Sequence, residues 1–310
     1  MGWIDLENKC KRIFEESSES FGPFWHLCTP GNLEEVYCTD EDDFKFAVSN
    51  IAISAAESDV TVVTDAQMSN HLHTLLGGAK ENCQKFLANY VDREKKYFES
   101  IDRQVNLGGL VCPEPILITD IDMMRSEIVY INRNGYVPNP QYTPFSYPWS
   151  CGRVYFNDAL KLVRGIPYNS LAFREKRKLC RKRVEQMPMS YAVLDGMILQ
   201  ESYSFYQLGE KMFHDAHHYM SELSKNVEAY SEISKRLGDK IFMTDDEMYP
   251  AVKMLCIQKY NITQPANLPP NAKLEMARKM HYDYNATNSQ IQRILKLPAN
   301  VVTELFPKAR

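Results

Sequence analysis

Apolar residues recur at helical spacing in several stretches of the chain. Between Asp42 and Ser58, the residues Phe44, Ala47, Val48, Ile51, Ala52 and Ala55 fall on one face of a helix, which predicts packing on a flat surface. The segment 1–20 carries Trp3, Ile4, Leu6 and Ile13-Phe14 on one side and predicts an amphipathic helix. A long helix is expected from about Lys80 to Asp102, with Phe86, Tyr90, Tyr97 and Phe98 inward. Another runs from Asp120 to Asn134 and opens on acidic residues, which suit a helix N-terminus. Elsewhere the pattern is that of strands. Phe24 to Thr29 is short and closed by Pro30-Gly31, Asp59–Ala66 is β-branched, His71–Leu76 alternates up to Gly77-Gly78, and Val111–Thr119 follows. This order of strands and helices predicts an α+β fold, an antiparallel sheet covered by helices.

Beyond the basic stretch, past residue 185, the strands are expected to stop. Helices are predicted at Ser204–Tyr219, Ser221–Leu237, Asp245–Tyr260, Asn271–Tyr282, Asn288–Lys296 and Ala299–Phe306. Two carry capping boxes, Thr244 with Glu247 and Thr287 with Gln290. The organisation expected is an N-terminal helix (1–20), an α+β domain (21–160), a basic linker (161–185) and an all-α domain (186–310). Within the last, the short helices of 271–306 read either as a helix-turn-helix DNA-binding unit or as a helical hairpin closing a bundle. Ala299–Phe306, the recognition helix of the first reading, is poor in the Arg, Asn and Gln side chains that read base edges.

Charge adds to this picture more than composition does. The 310 residues are 44% hydrophobic and 25% charged, ordinary for a globular protein of two domains. No apolar run approaches the roughly 20 residues of a membrane span, and the N-terminus lacks the basic and apolar regions of a secretory leader, so a cytoplasmic location is expected. The eight cysteines are scattered without a C-x-x-C pair, which excludes a zinc ribbon and argues for reduced thiols. The net charge of −4 conceals an asymmetry: the first sixty residues are acidic, whereas Lys161–Arg183 is strongly basic. In that stretch Arg174, Lys176, Arg177, Lys178, Arg181, Lys182 and Arg183 are candidates for phosphate contact, and a solvated helix face is the other reading.

The segment with most chemical content is His71-Leu72-His73. Histidines two apart on a strand point to the same side of a sheet, so both imidazoles can reach one divalent cation while Leu72 turns to the core. A half-buried pair that hydrogen-bonds locally gives the same pattern. A second histidine cluster, His214, His217 and His218, has no carboxylate or cysteine at ligand spacing and reads as surface histidines.

Met68-Ser69-Asn70-His71-Leu72-His73 resembles the histidine–hydrophobe–histidine signature of the HUH nucleases, specifically that of the single-tyrosine transposases and their REP-associated relatives. Tyr130-Ile131-Asn132-Arg133-Asn134 resembles that family's Tyr-Ile-x-x-Asn segment, and Tyr147-Pro148-Trp149-Ser150 is similar to its Tyr-Pro-Trp-Ser run. The likeness covers roughly residues 21–157. It departs from the family at Ser69 and Gly135, where the family carries proline.

The resemblance implies an HUH, ferredoxin- or RRM-like fold, with Tyr130 as nucleophile on a single-stranded DNA phosphodiester and a 5′-phosphotyrosine intermediate. It implies His71, His73 and Asn134 as ligands of Mg²⁺ or Mn²⁺. Tyr130 and Asn134 lie one helical turn apart and project from one face, whereas Tyr136, Tyr142 and Tyr147 lack such a partner. A phenol of pKa about 10 is a poor nucleophile at neutral pH and needs a cation to polarise its target. The partners implied are single-stranded DNA, expected to carry a hairpin, and no membrane, with a homodimer as an open option. The rival reading is a catalytically silent, domesticated protein that binds DNA hairpins and regulates. A third reading is an α+β protein with coincidental motifs.

Overall fold

The computed structural model describes residues 3–29, 36–105, 107, 114–135, 142–143, 145–180, 187–225, 243 and 245–307. The chain divides into two compact units, Met1–Asn226 and Val227–Arg310.

The first unit opens with helix α1 (Trp3–Phe21) and continues as β1 (Phe24–Cys28), α2 (Glu41–Ser58), β2 (Thr61–Gln67), β3 (Leu72–Gly77), α3 (Lys80–Ser100), β4 (Ile116–Leu117) and α4 (Ile121–Asn134). The strands form one antiparallel sheet in the order β2-β3-β1-β4. The α+β class expected from the hydrophobic pattern is the class observed. Strand β4 is shorter than the Val111–Thr119 expected: Ile116 and Leu117 lie in register with β1, Ile118 N adds a bond to Phe24 O at 2.9 Å, and the strand starts directly after Pro115, which has no N–H to offer a ladder. Residues 111–113 lie outside the described residues.

Alternation along the strands sends successive side chains to opposite faces of the sheet. Leu27, Val62, Leu72 and Leu76 enter an apolar cluster with Val48, Ile51, Ala52 and Ala55 of α2 and Phe86 and Leu87 of α3. His26 and His73, one residue away from Leu27 and Leu72, lie instead against α4. Both helices that frame these layers start on designed caps. Asp40 and Asp43 close a capping box on α2, and the Asp120 carboxylate accepts from Met123 N at the start of α4.

The segment expected as a linker, 161–185, is anchored at Tyr168, Leu179 and Cys180, which are buried, while most of its other described residues are exposed. After α5 (Asp158–Lys161) come β5 (Ile166–Pro167) and α6 (Phe173–Cys180), whose Leu179 and Cys180 are buried in the same apolar cluster as α2. Nor do strands stop beyond it. β6 (Ala192–Leu194) and β7 (Met197–Ile198) form an antiparallel sheet with β5 and lean on α2, where Ile198 N donates to Ser49 Oγ at 3.0 Å and Tyr191 Oη to Ala52 O at 3.0 Å. The boundary between units therefore falls after these elements, because their apolar residues have no core of their own.

The chain then passes the edge strand β2, where Phe205 N donates to Val62 O, through α7 (Gln200–Tyr203), α8 (Tyr206–Lys211) and α9 (Ala216–Lys225). The single helix expected over Ser204–Tyr219 is thus two, broken at 212–215. Of the helix expected over Ser221–Leu237, residues 226–237 lie outside the described residues. The seven described cysteines are buried thiols.

In the second unit the described helices are α10 (Asp245–Tyr260), α11 (Pro270–Tyr284), α12 (Asn288–Leu295) and α13 (Ala299–Leu305). The Thr287–Gln290 capping box is present, and Gln290 Nε2 also reaches Met243 O at 2.7 Å. Thr244, the first residue of the other expected box, lies outside the described residues. Left-handed Asn285 and Lys296 end α11 and α12 and turn the chain tightly between them. Among the described residues no helix is long and apolar enough to cross a membrane.

Candidate functional site

Helix α4 is buried along nearly its whole length, including Glu127, Tyr130, Asn132, Arg133 and Asn134. A helix this buried with this many polar side chains needs partners for them. They come from both sides. Toward the sheet, Thr64 Oγ1 donates to Asn132 Oδ1 at 2.6 Å. Toward α9, Asn132 Nδ2 donates to Tyr219 Oη at 2.8 Å and Arg133 donates to Leu223 O at 2.9 Å.

Three of the sequence-predicted residues, His71, His73 and Tyr130, gather at this contact. His71 directly precedes β3 and His73 lies within it, with ring centroids 4.9 Å apart, and Leu72 between them faces the apolar cluster. The Tyr130 ring stands edge-on to His73 at 5.3 Å. Asn134 is buried one turn further along α4, at its C-terminal end. The site is closed: His71, His73, Tyr130 and Asn134 are all at most 3% exposed.

Two residues that sequence reasoning missed belong to the same cluster. His26 on β1 lies 5.4 Å from the His73 ring and 5.9 Å from that of Tyr130. Its Nε2 is 3.2 Å from His73 Nδ1, and its Nδ1 is 2.7 Å from Glu127 Oε2. Glu127 precedes Tyr130 by one turn of α4, a spacing visible in the sequence. His26 gave no such signal, since a lone histidine in Phe-Trp-His-Leu-Cys is chemically silent until β1 is placed beside β3.

The donor set fits a divalent cation of mixed nitrogen and oxygen ligation. His71 Nδ1 is 2.7 Å from Asn70 Oδ1, so both histidines of the pair have Nδ1 engaged and Nε2 as the nitrogen that would ligate. Asn134 would add an amide oxygen, a ligand type that suits Mg²⁺ or Mn²⁺ better than Zn²⁺. Among the described residues no group of three His, Cys, Asp or Glu side chains is gathered as a metal site. The proposed third ligand is an amide, and His26 is turned toward Glu127.

The Tyr147–Cys151 segment fixes the rim. Tyr147 Oη donates to Gln67 O at 2.7 Å, Gln67 N donates to Trp149 O, and Ser150 Oγ donates to Asp65 O at 2.8 Å, which covers the edge of β2. Tyr147 also lies against the end of α4, where a Cβ on Gly135 would come within 2.1 Å of its ring. Glycine at 135 is therefore a matter of close approach, and a proline there would meet the same ring. Tyr142 packs on Tyr147, and Tyr136 lies outside the described residues.

The remaining candidates are elsewhere. Arg174, Arg177 and Lys178 are exposed on α6, whereas Lys176 is partly buried, its Nζ donating to Asn169 O at 2.9 Å beside the Tyr168 ring. Arg181, Lys182 and Arg183 lie outside the described residues. Since α6 packs on α2, these cations sit across the sheet from Tyr130. His214, expected at the surface, is instead packed, with Nε2 2.8 Å from Glu7 Oε2 in a cluster that includes Arg125. The cause is α1, which brings Glu7 to this helix layer.

No protein-family model, curated protein or solved structure matches the chain.

Proposed function

We propose that the polar face of the sheet is a divalent-metal site at which Tyr130 cleaves and rejoins single-stranded DNA. The observation that carries this reading is the meeting of His71, His73 and Tyr130 between β3 and α4. The β-α-β-β-α-β connectivity and the sheet order β2-β3-β1-β4 support it, being those of the ferredoxin-like fold that the HUH resemblance implies.

In this reaction the Tyr130 phenolic oxygen bonds to phosphorus and loses its proton. The bond from phosphorus to the 3′-oxygen breaks, and that oxygen leaves as a hydroxyl after gaining a proton. The DNA 5′ end is then held as a phosphotyrosine, and a 3′-hydroxyl can reverse the step. Mg²⁺ or Mn²⁺, when bound, would supply polarisation of the phosphoryl oxygens and offset their developing charge. His71, His73 and Asn134 would hold the ion. The stiffness of α4, buried on both sides, keeps Tyr130 oriented. The exposed cations of α6 and the helices of 271–306, read as a helix-turn-helix, would grip flanking DNA through phosphates.

One observation favours a second reading, a catalytically silent DNA-binding protein. Tyr130 is 1% exposed and His73 fully buried, so a phosphate reaches them only if a neighbouring segment withdraws. The decisive test incubates the protein with labelled single-stranded oligonucleotides from its own flanking DNA, with and without hairpins, plus Mn²⁺. A denaturation-resistant protein–DNA adduct is expected, absent in Tyr130→Phe. Binding without any adduct would favour the silent reading.

A further inference from the structure

We propose that Glu127 and His26 are positioning residues that hold the proton of His73 on Nδ1 and so present its Nε2 lone pair to the ion. The inference rests on the metal-site reading above and assigns a role to two residues that reading does not use.

The argument is one of donor and acceptor counting. A carboxylate only accepts, so the 2.7 Å contact makes His26 Nδ1 the donor to Glu127 Oε2. A neutral imidazole with a proton on one nitrogen has a lone pair on the other, so His26 Nε2 accepts. Its partner at 3.2 Å, His73 Nδ1, is then the donor. The His73 proton is thereby placed on Nδ1 and its lone pair on Nε2. His71 reaches the same state by a shorter route, because the Asn70 side-chain oxygen 2.7 Å from its Nδ1 can only accept.

The order Glu127, His26, His73 runs from α4 through β1 to β3, so three separate elements fix one tautomer. Burial of all three side chains strengthens each step, since few competing waters reach them. The competing arrangement is specific. A doubly protonated His26 would donate from both nitrogens, turn His73 Nδ1 into an acceptor and move its proton to Nε2, where it blocks ligation. Carboxylate–histidine partners of this kind orient metal ligands generally, and their loss weakens metal binding by about 10–100-fold.

The test uses the full chain with ¹⁵N-labelled histidine. Two-bond ¹H–¹⁵N spectra of the metal-free wild type should show His71, His73 and His26 each protonated on Nδ1 alone. This measurement needs no variant and so is immune to misfolding. Titration with Mn²⁺ alone, followed by electron paramagnetic resonance, gives the second readout. Glu127→Gln keeps an oxygen that accepts from His26 and should bind Mn²⁺ within about threefold of wild type. Glu127→Leu removes the acceptor and should weaken Mn²⁺ by about 10–100-fold while moving the His73 proton to Nε2. His73 protonated on Nε2 in a wild-type protein that binds Mn²⁺ overturns the relay alone, and equal Mn²⁺ affinity in Glu127→Leu and Glu127→Gln does the same. Failure of the wild type to bind Mn²⁺ overturns the metal site, and with it the relay's purpose.

Discussion

The two faces of the four-stranded sheet are built from neighbouring residues of the same strands, yet they differ in kind. Toward α2 and α3, Leu27, Val62, Leu72 and Leu76 meet alanines, valine, isoleucine and phenylalanine. Toward α4, His26, Thr64 and His73 meet Glu127, Tyr130 and Asn132. Both faces are equally dry. Apolar burial of the first kind stabilises a fold at about 25 cal/mol per Å², and polar burial of the second at best offsets its own desolvation. A chain that needed only stability would fill the α4 face with aliphatics. The contrast is one of chemistry: apolar packing dominates one side, and hydrogen-bonded histidine, glutamate and amide groups meet on the other.

Two buried glutamates make the same contrast within single residues. Glu94 of α3 lies on the apolar side, where desolvation, opposed by the hydrogen bond from Asn50 Nδ2 at 2.8 Å, pushes its carboxyl up to about 8. Glu127 lies on the polar side and meets an imidazole. One is a carboxyl held neutral in a dry layer, and the other is part of a network.

The largest effect should come from the polar face. Tyr130→Phe deletes one oxygen from a buried ring and leaves its packing, so Mn²⁺ affinity and thermal stability should remain near wild type. The covalent DNA adduct should disappear entirely, as no other described tyrosine faces the histidine pair. An adduct formed at the wild-type rate would transfer the nucleophile elsewhere, and Tyr136 would be tested next.

On the apolar face the expected sign is reversed. Leu72→Ala, between the two histidines but pointing away from them, should cost about 2–5 kcal/mol by denaturant unfolding. Metal affinity of the folded fraction should not move by more than a few-fold. If Leu72→Ala abolished Mn²⁺ binding in protein that is still folded, the two faces would be coupled rather than separate.

A pH series then tests the buried glutamate of the apolar side. A carboxyl whose folded pKa is about 8 against an ordinary value of 4.5 binds its proton more tightly in the folded state. Its contribution to stability is therefore full below about 4.5, falls as pH rises and is lost above about 8. Glu94→Gln removes the titration, so the wild-type decline from pH 5 to 8 should exceed the variant's by on the order of 1–3 kcal/mol. Parallel stability curves for the two proteins would show that Glu94 ionises normally.

How much of this was legible beforehand depended on local spacing. The His71/His73 pair, α4 and α2 announce themselves through periods of two and 3.6 residues. The small sheet of β5, β6 and β7 does not, because strands of two or three residues are too short to show alternation. One local signal does mark it: Asp195-Gly196 between Leu194 and Met197 is a hairpin turn, and both residues have positive φ, 50° and 78°. The His26–Glu127 contact joins residues 101 apart and depends on strand order, which no local pattern encodes. The packing of 161–180 onto α2 was hidden by charge, since its exposed cations outnumber the three buried residues, Tyr168, Leu179 and Cys180, that anchor it.

The smallest effect should come from those cations, and the contrast between faces explains why. Arg174, Arg177 and Lys178 stand on α6, beyond the apolar layer, and a strand of DNA engaged at Tyr130 meets them only by passing around the sheet. Replacing all three with Gln should leave unfolding unchanged within about 0.5 kcal/mol, as they are exposed and make no core contact. A short oligonucleotide that only fills the site should bind the variant as it binds wild type. A longer one should lose affinity equally for matched and scrambled sequences, and its salt dependence should flatten by about two in log–log slope if each cation meets one phosphate, at roughly 0.7 per contact. An unchanged slope with long DNA would make α6 a solvated face. A loss that appears already with the short oligonucleotide would place the DNA path on the apolar side, and the division of labour between the two faces would have to be redrawn.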